Sequence, residues 1–400
     1  MRILFANNIC GYFGGVEQVI VDTAQGLRER GHASFLAYRT TERNVEAFSK
    51  PFDACFQCRE FAPPDTLSEG QSFRSIIEAA RPDVIYFHKV MQLPPSADFV
   101  GKVRSVRMAH DHDLYCPTTY KYFRHGRRIC HYRAGWRCWI DLAFLAKNPK
   151  SGTHLALVSI SGKIREMRRS HDLDAILANS SFTRDALVMN GFPREKVHVV
   201  HPILPLADQP LTPAPEEPKI LFVGQLIRGK GLDLLFNALT RLRCPFTLTV
   251  VGTGNSRDNL HAMCAQLGLQ SRVLFLDWVD HDEVGRFYTD AKVVAMPSRW
   301  PEPFGLIGQE AMRRGRPVVA FNVGGIGDWL EHELTGLLAP EQDIGAFAEA
   351  LERILTDTAY ANRLGENAYK RVRERFSFQS YLDQLEEHLS GNVSRQSGPA

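Results

Sequence analysis

At 400 residues, with 44% of them apolar and 23% charged, the chain is long enough for two hydrophobic cores and too apolar to be disordered as a whole. Its net charge is only +3, its opening apolar run is too short for a signal peptide, and no later run approaches the roughly 18 residues of a membrane span. These features argue against a secreted disulfide scaffold and an integral membrane protein. They predict a cytoplasmic protein of two domains whose eight cysteines are thiols.

The N-terminal half alternates short β-rich runs with helical patterns, which predicts a parallel sheet assembled from βαβ units. The first strand is predicted at residues 3–5. A glycine-containing loop follows, and apolar residues then recur at helical spacing from Val16 to Leu27, with Gly31 at the position of a C-terminal cap. Further strands are predicted at residues 84–87, 176–178 and 197–200.

The middle of the chain, residues 204–218, contains five prolines, which remove backbone donors and favour an extended path. We therefore predict domains at residues 1–205 and 219–372, with a linker at 206–218. Beyond the linker the alternation resumes, and a second doubly wound sheet is predicted from five strands at residues 220–224, 247–252, 273–276, 293–297 and 317–320. Ligands of such sheets bind beyond the carboxyl ends of the strands, so two facing domains imply a cleft between them. An amphipathic helix is predicted at 373–390, and a disordered tail at 391–400.

The most informative segment lies at residues 299–310, where a predicted strand leads into a predicted helix. Backbone N–H groups of Phe304, Gly305 and Leu306 at the start of that helix would form a binding site for a diphosphate. Glu302 precedes the helix start and Glu310 lies within the helix. Carboxylates placed in this way can accept hydrogen bonds from the hydroxyls of a sugar and a ribose.

This pattern, Glu302-x7-Glu310 with Phe304-Gly305-Leu306 inside it, resembles the signature of the retaining GT-B glycosyltransferases of family four. The resemblance extends over nearly the whole chain. It includes Gly14-Gly15-Val16-Glu17, His110-Asp111, Phe222-Val223-Gly224, Lys230-Gly231, Val251-Gly252-x-Gly254, Gly324-Gly325-Ile326 and Thr335-Gly336-Leu337-Leu338. It implies an α/β fold of two Rossmann-like domains, with a nucleotide-sugar site built largely by the second domain and a C-terminal helix that packs back on the first.

The resemblance also implies roles for individual residues. The loop at Gly14 and Gly15 would face the donor phosphates and the acceptor, because glycines allow close backbone approach. Lys230 would bind the diphosphate and stabilise the leaving nucleotide. Gln225 stands where many members of the family carry arginine, and Arg228 is the candidate to supply that charge.

Other residues of the candidate site lie at predicted strand ends. His110 follows a strand-like stretch, and the resemblance implies that it binds a sugar hydroxyl or organises the reacting centre, with His112 as a competitor. Trp278 and Val279 end another strand where the nucleotide base would dock, although core packing is an alternative for Trp278. The donor site would thus comprise Gly14, Gly15, Gly224, Arg228, Lys230, Trp278, Val279, Glu302, Phe304, Gly305, Leu306 and Glu310, and the catalytic residues would be His110, Arg228, Lys230 and Glu302.

Two patterns raise the question of a metal, and neither is assigned one. Asp111-x-Asp113 and Asp172-x-Asp174 mimic a metal-binding DxD motif, but a phosphate site at a helix start makes the metal redundant. Cys116, Cys130 and Cys138, with His125 and His131 nearby, could hold zinc, but they lack a CxxC pair and thiols are favoured. We expect no cofactor and no metal.

Charge is unevenly distributed along the chain. Residues 102–169 contain fifteen Lys and Arg against four acids, a net +11 that leaves −8 for the remainder. A basic face on the N-terminal half suits an anionic membrane surface or a phosphate-bearing acceptor, with a solvated surface as the alternative. The chain lacks nucleic-acid-binding signatures. We therefore expect a cytoplasmic protein, with peripheral attachment at the inner face of the membrane as one option.

The sequence therefore predicts a metal-independent, retaining hexosyltransferase that uses a nucleoside diphosphate sugar, with UDP-sugars favoured and GDP-mannose open. Its acceptor would be a saccharide or a lipid-linked saccharide in cell-surface polysaccharide or glycolipid synthesis. One alternative is an NAD-dependent oxidoreductase, although Gly252-x-Gly254 lacks the third glycine of the dinucleotide fingerprint. Another alternative is a non-catalytic scaffold that binds nucleotide sugars. The sequence does not specify the donor sugar, the acceptor or the oligomeric state.

Overall fold

The computed structural model describes residues 1–12, 14–62, 69–123, 128–147, 155–205, 210–277, 279 and 281–392. The chain divides into two compact units. The first comprises Met1–Thr119, His131–Pro205 and Phe378–Ala400, and the second comprises Tyr120–Cys130 and Leu206–Ser377. Each unit contains one large parallel sheet with helices between the strands, so the expected fold class of two Rossmann-like domains is confirmed.

The first unit is built on a seven-stranded parallel sheet. In chain order the strands of the whole unit are β1 (Arg2–Ala6), β2 (Ile9–Cys10), β3 (Ala33–Tyr38), β4 (Thr40–Thr41), β5 (Ala54–Gln57), β6 (Val84–Phe87), β7 (Arg104–Ala109), β8 (Leu145–Lys147), β9 (Leu155–Leu157), β10 (Ala175–Ala178) and β11 (Val197–Val199). The large sheet has the order β11-β10-β7-β6-β1-β3-β5, and β2 with β4 and β8 with β9 form small separate pairs. The helices are α1 (Gly15–Glu29), α2 (Val45–Ser49), α3 (Phe73–Ala80), α4 (Arg137–Ile140), α5 (Ile160–Arg169) and α6 (Ser181–Met189).

The apolar runs of the sequence become the central strands of this sheet. Residues 3–6 of β1 and all of β6 are buried, as expected for strands that are covered on both faces by helices. The predictions of strands near residues 3–5, 84–87, 176–178 and 197–200 are confirmed. The edge strand β5 and its neighbour β3 were not predicted.

The second unit has six parallel strands, where the sequence predicted five. The strands are β12 (Lys219–Val223), β13 (Thr247–Val251), β14 (Val273–Leu276), β15 (Val293–Met296), β16 (Val318–Phe321) and β17 (Gly336–Ala339), in the order β14-β13-β12-β15-β16-β17. The helices are α7 (Leu232–Leu239), α8 (Arg257–Gln266), α9 (His281–Asp290), α10 (Leu306–Met312), α11 (Ile344–Thr356) and α12 (Thr358–Arg375). The five predicted strands are confirmed, and the count is corrected by β17, which pairs with β16 at the edge of the sheet.

The order of the strands fixes where a ligand can bind in each unit. In the first sheet the chain proceeds outward from β1 in one direction and from β6 in the other, so the switch point lies between β1 and β6. In the second sheet the corresponding point lies between β12 and β15. The loops that follow these strands border the crevice in which ligands of doubly wound sheets bind.

Residues 210–218 of the proline-rich segment belong to the second unit and pack on it. The buried guanidinium of Arg316 donates to the carbonyl oxygen of Thr212 at 2.8 Å and to its hydroxyl at 2.9 Å. The amide of Ala214 donates to Asn362 Oδ1 at 2.7 Å. Residues 206–209, the start of the predicted linker, lie outside the described residues.

The C-terminal helix α13 (Phe378–Ser390) belongs to the first unit. Its Tyr381 hydroxyl lies 2.9 Å from Thr23 Oγ1, and Arg30 Nη1 of the first unit donates to Asp383 Oδ1 at 2.8 Å. The helix begins at Phe378 rather than at the predicted 373, because α12 continues to Arg375. Residues 393–400, most of the predicted tail, lie outside the described residues. Within the described ranges, none of the helices is both long enough and apolar enough to cross a membrane.

Candidate active site

At the switch point of the second unit, the loop after β12 is tied to the loop after β15. The amides of Arg299 and Trp300 both donate to the carbonyl oxygen of Gly229, at 2.9 and 3.2 Å. The guanidinium of Arg299 is buried, donates to the carbonyl oxygen of Arg228 at 2.8 Å, and pairs with Asp233 Oδ2 at 2.7 Å. These contacts fix the two loops against each other.

Lys230 and Glu302 form an ion pair between these two loops. Lys230 Nζ lies 2.7 Å from Glu302 Oε1, which also accepts hydrogen bonds from Ser298 Oγ at 2.5 Å and Trp300 Nε1 at 3.1 Å. All three bonds end on Oε1, and Oε2 has no hydrogen-bond partner among the described residues. The Lys230 ammonium also lies 5.3 Å from the centre of the Trp300 ring, within cation–π range.

The charge of Glu302 is stabilised by these neighbours. Glu302 is only 3% exposed, and burial by itself raises the pKa of its carboxyl. The charge of Lys230 and the hydrogen bonds from Lys230, Ser298 and Trp300 outweigh burial, so the pKa of Glu302 lies below its ordinary value. Glu302 is therefore an ionised acceptor at neutral pH.

The backbone of Glu302 is held by the glycine pair of the sequence motif. The amide of Gly325 donates to the carbonyl oxygen of Glu302 at 2.7 Å. Gly324 has φ +62°, and a Cβ atom at this position would lie 2.1 Å from the same carbonyl oxygen. Only glycine fits there without moving the backbone, which explains why Gly324-Gly325 accompanies the acidic motif.

The helix that carries the second acid of the motif begins immediately after Gly305. Gly305 has φ +98°, and α10 starts at Leu306. The carbonyl oxygen of Phe304 accepts a hydrogen bond of 2.7 Å from Trp329 Nε1, which fixes the entry to the helix. The amides of Gly305 and Leu306 have no hydrogen-bond partner among the described residues. The amides that the sequence assigned to a diphosphate are thus present at the switch point, and their binding role stays a prediction.

Glu310 is buried within α10 and is hydrogen-bonded to the protein. Its Oε2 accepts from the hydroxyl of Tyr288 on α9 at 2.7 Å. Tyr288 is fully buried, and burial together with the charge of Glu310 raises the pKa of its hydroxyl well above the ordinary value. Tyr288 therefore keeps its proton and donates it to the hydrogen bond with Glu310 at neutral pH. The proposed contact of Glu310 with the donor stays a prediction.

The other predicted donor residues of this unit lie nearby or are not described. Gly224 directly follows β12, with φ +149°. Arg228 and Gln225 are exposed on the loop that leads to Lys230, so the Arg228 side chain is accessible to a ligand. Val279 is half-buried after β14, and Trp278 lies outside the described residues.

His110 lies at the carboxyl end of β7 in the first unit, beside a second histidine. His110 Nε2 lies 2.8 Å from Nδ1 of His88, which directly follows β6, and the two rings stack with centroids 5.1 Å apart. Burial, with the charges of Lys89 and Arg107, outweighs the opposing charge of Asp111 and lowers the pKa of His110 to about 3. Burial also lowers the pKa of His88 well below its ordinary value, so both rings are neutral at neutral pH and one must donate to the other.

The acids that mimic a DxD motif are paired with cations in the same region. Asp111 pairs with Lys89, with Asp111 Oδ2 2.5 Å from Lys89 Nζ, and Asp113 Oδ2 lies 3.5 Å from Arg107 Nη2. Burial and the charge of Asp111 raise the pKa of Asp113 to about 7, whereas Lys89 outweighs burial and lowers the pKa of Asp111. His112, the competitor of His110, is fully buried and bonded to the hydroxyl of Tyr115.

The glycine loop of the first unit caps its first helix. Gly14 precedes α1, and its amide donates to Glu17 Oε2 at 2.9 Å, which is one of the two hydrogen bonds of a capping box. Gly15 is the exposed first residue of α1. Both lie after β1, which borders the switch point of this sheet.

The three cysteines that could hold zinc are not joined by disulfides. Cys116 is buried, and Cys130 and Cys138 are half-buried. No group of three or more His, Cys, Asp or Glu side chains suited to a metal is found in the ranges that the structure describes. His125, one of the candidate ligands, lies outside those ranges, so the thiol interpretation stays a prediction.

Sequence reasoning missed several residues that build these sites. Ser298 and Trp300 bind the carboxylate of Glu302, and their positions directly after a predicted strand could have indicated them. His88 and Lys89 likewise follow the predicted strand at 84–87. Like His110, both residues lie beyond the carboxyl end of a strand, where ligands of such sheets bind.

Comparison with known proteins agrees with this architecture. Residues 13–207 match the model of Glycosyltransferase Family 4, and residues 206–371 match the model of Glycosyl transferases group 1. Two Rossmann-like units are the architecture of the GT-B glycosyltransferases. The chain belongs to family four of these GT-B glycosyltransferases.

Curated relatives match parts of the chain. An uncharacterized glycosyltransferase of Methanocaldococcus jannaschii is 36% identical over 165 residues, which cover 41% of this chain and 42% of the relative. Alpha-D-kanosaminyltransferase of Streptomyces kanamyceticus is 30% identical, with 42% of this chain and 45% of the relative covered. D-inositol 3-phosphate glycosyltransferase of a Mycobacterium strain is 31% identical, with 48% and 47% covered. The match spans less than half the length of each of these relatives.

Solved structures match the whole chain in fold. HepE of Anabaena in complex with UDP and glucose superposes with a TM-score of 0.73 at 21% identity, covering 98% of this chain and all of HepE. The lipopolysaccharide outer core galactosyltransferase WaaB superposes with a TM-score of 0.68 at 18% identity, covering 98% of this chain and all of WaaB. At these identities the likeness concerns the fold.

Proposed function

We propose that this chain is a retaining, metal-independent glycosyltransferase that moves a hexosyl group from a nucleoside diphosphate sugar to the hydroxyl of a saccharide or lipid-linked saccharide. UDP-sugars are the favoured donors and GDP-mannose is the second candidate, with cell-surface polysaccharide or glycolipid synthesis as the setting. The observation that carries the proposal is the Lys230–Glu302 pair at the switch point of the second unit. It places a cation and an ionised acceptor where a ligand of such a sheet binds.

The two members of the pair have complementary tasks toward a nucleotide sugar. Glu302 is oriented by three hydrogen bonds to Oε1, which leaves Oε2 for a sugar or ribose hydroxyl. Lys230 and the exposed Arg228 provide positive charge for the diphosphate, together with the amides of Gly305 and Leu306. The complex of HepE with UDP and glucose supports a uridine nucleotide as the donor class.

The proposed reaction proceeds on one face of the sugar. The bond between the anomeric carbon and the phosphate oxygen breaks, and the nucleoside diphosphate leaves with the electron pair. The acceptor oxygen bonds to the same face of that carbon, and its proton passes to the departing phosphate. Lys230 and Arg228 stabilise the charge that develops on the phosphate. The neutral His110 of the first unit takes a hydrogen-bonding role toward the substrate.

The glycines of the second unit argue against the oxidoreductase alternative. A Cβ atom on Gly252 would lie 2.0 Å from the carbonyl oxygen of Gly224, and one on Gly254 would lie 2.4 Å from that of Leu226. Both glycines are thus required by packing within the protein itself. Gly252-x-Gly254 therefore needs no dinucleotide to account for it.

Calorimetric titration of the intact chain tests the donor class. UDP-glucose, UDP-galactose, GDP-mannose and NADH are titrated into the wild type and into two variants, Lys230→Met and Lys219→Met. Lys219 is the matched control, because it is a half-exposed lysine at the amino end of β12, whereas Lys230 follows the carboxyl end of the same strand. We expect a nucleotide sugar to bind, with loss of affinity in Lys230→Met alone. Binding of NADH only, or equal affinities in both variants, would overturn the proposal.

Transfer and stereochemistry need a second experiment. Once a donor binds, release of nucleoside diphosphate is followed with simple glycosides as acceptors. The anomeric configuration of the product is then read from its proton NMR couplings. We expect the configuration of the donor to be retained. A donor that binds but is never turned over with any acceptor would favour the non-catalytic scaffold.

A further inference from the structure

The first unit exposes an unusual concentration of large apolar side chains. Twelve large hydrophobic residues are exposed among the described residues, and half of them lie between positions 132 and 157. These six are Tyr132, Trp136, Trp139, Ile140, Leu142 and Leu157. Scattered exposed apolar residues are normal in soluble proteins, whereas a local group of this size marks an interaction surface. We call residues 132–144 the aromatic segment.

The short helix of the aromatic segment directs its apolar side chains to solvent. Trp136 precedes α4, and Trp136 and Ile140 are four positions apart, which places them on one face of the helical turn. They are 69% and 71% exposed, and Trp139 is 48% exposed. This face is therefore not packed against the core of the unit. Two of the five tryptophans of the chain are exposed on the surface of the unit.

Positive charge accompanies these aromatic rings. The guanidinium of Arg137 lies 3.8 Å from the centre of the Tyr132 ring and 5.4 Å from that of Trp136. A guanidinium that lies over an aromatic ring can still donate hydrogen bonds from its edge to an anion. The surface is thus both aromatic and cationic.

A basic helix continues from the same region. The rings of Trp139 and Phe144 lie 5.7 Å apart, and the carbonyl oxygen of Phe144 accepts from the amide of Val158 at 2.7 Å, two residues before α5. Lys163, Arg165 and Arg168 of α5 are exposed. None of these three cations forms an ion pair with a described residue, whereas Arg169 is paired with Glu166.

We propose that the aromatic segment, Leu157 and the exposed cations of α5 bind the surface of an anionic lipid bilayer. Indole rings are amphipathic and favour the boundary between headgroups and acyl chains, and Lys and Arg are attracted to anionic headgroups. The combination fits a lipid surface better than a protein partner, because the most exposed rings and Ile140 lie on or next to a turn of only four helical residues that also carries the cation Arg137. This binding does not depend on the proposed glycosyl transfer, and it would bring a lipid-linked acceptor to the first unit.

Vesicle flotation of the intact chain tests the surface. Vesicles of phosphatidylcholine alone are compared with vesicles that also contain phosphatidylglycerol, at low and high salt. We expect binding to the anionic vesicles only, weakened by salt, because exposed charges are screened. Replacing three cations near the bilayer, as in Lys163→Gln/Arg165→Gln/Arg168→Gln, should lower the partition coefficient by about a hundredfold.

Matched variants separate this surface from general changes in charge or apolarity. The apolar variant is Trp136→Ser/Trp139→Ser/Ile140→Ser, with Leu274→Ser/Leu334→Ser as its control, since both leucines are exposed on the second unit. The control for the cations is Arg363→Gln/Lys370→Gln/Arg373→Gln on the exposed side of α12. All these side chains are exposed, so the melting temperatures should stay close to that of the wild type.

Tryptophan fluorescence gives an independent measurement. On anionic vesicles the emission should shift to the blue and be quenched by brominated lipids, and Trp136→Phe/Trp139→Phe should lose most of this quenching. Equal binding of the two test variants and their controls would overturn the proposal. Equal binding to neutral and anionic vesicles would also overturn it. The same holds if the test variants change the oligomeric state measured by light scattering and leave lipid binding unchanged. Donor binding measured on the same variants shows separately whether the proposed function holds.

Discussion

The ion pair of Lys230 and Glu302 should be energetically coupled, and a double-mutant cycle measures the coupling. The side chains of Glu302 and Lys230 are 4% and 18% exposed, and their charged atoms lie 2.7 Å apart. Removing one partner of a buried pair leaves an uncompensated charge, which costs about 3–5 kcal/mol when no other group compensates it. Ser298 and Trp300 still donate to Glu302 after Lys230→Met, so we expect a loss near the lower limit, about 3 kcal/mol.

The cycle consists of the wild type, Lys230→Met, Glu302→Gln and the double variant. Methionine keeps the apolar stem of the lysine, and glutamine keeps an oxygen that accepts from Ser298 and Trp300. The free energy of unfolding of each protein is measured in urea, with Lys219→Met as the control for loss of a lysine. We expect the sum of the stability losses of the two single variants to exceed the loss of the double variant by about 2 kcal/mol. Losses that simply add would refute the coupling.

The pH dependence of the same cycle provides a second reading. Because the pKa of Glu302 is lowered in the folded protein, its ionised form stabilises the protein above the unfolded value of 4.5. That contribution is lost as the pH falls through the lower, folded pKa. The difference between the wild type and Lys230→Met should therefore be largest near neutral pH and shrink below 4.5. A difference that is constant with pH would contradict an electrostatic origin.

Three further outcomes follow from individual contacts. Gly324→Ala should destabilise the protein by about 3 kcal/mol or more and weaken donor binding, because the added Cβ would lie 2.1 Å from the carbonyl oxygen of Glu302; unchanged urea unfolding would contradict this. Tyr288→Phe should cost about 2 kcal/mol in the same assay, because the buried carboxylate of Glu310 loses a hydrogen-bond donor, and a cost near zero would exclude that bond. Burial lowers the pKa of His388 to about 4, so the folded protein favours the neutral form of this histidine. The resulting stability is fully present above the unfolded pKa of 6.5 and is lost as the pH falls toward 4. His388→Asn should remove that part of the acid sensitivity, of order 2 kcal/mol, and identical pH profiles would argue against it.

Most strands of the two large sheets could be predicted from the sequence because they are continuous apolar runs. Residues 84–87 and 273–276 match β6 and β14 residue for residue. Two of the edge strands, β5 and β17, were missed. The strand β5 is only half-buried along its length. The strand β17 begins with glycine and continues with leucine and alanine, which also favour helices, so the sequence pattern of neither strand differs clearly from that of its neighbours.

The residue types at the candidate site could be predicted, but their contacts could not. Lys230 and Glu302 were each assigned to a donor ligand from the motif that contains them. Their mutual contact depends on two loops that are 72 residues apart in sequence and meet only because β12 and β15 are neighbours in the sheet. The bond between Glu310 and Tyr288 escaped sequence reasoning for the same reason, since it joins two different helices.

The position of the diphosphate tests the central claim most directly. A crystal structure of the intact chain with bound UDP would locate the two phosphate groups relative to the loops after β12 and β15. We expect them within hydrogen-bond distance of Lys230 Nζ and of the amides at the start of α10. A diphosphate bound at any other place in the molecule, with the Lys230–Glu302 pair untouched, would contradict the assignment of this site.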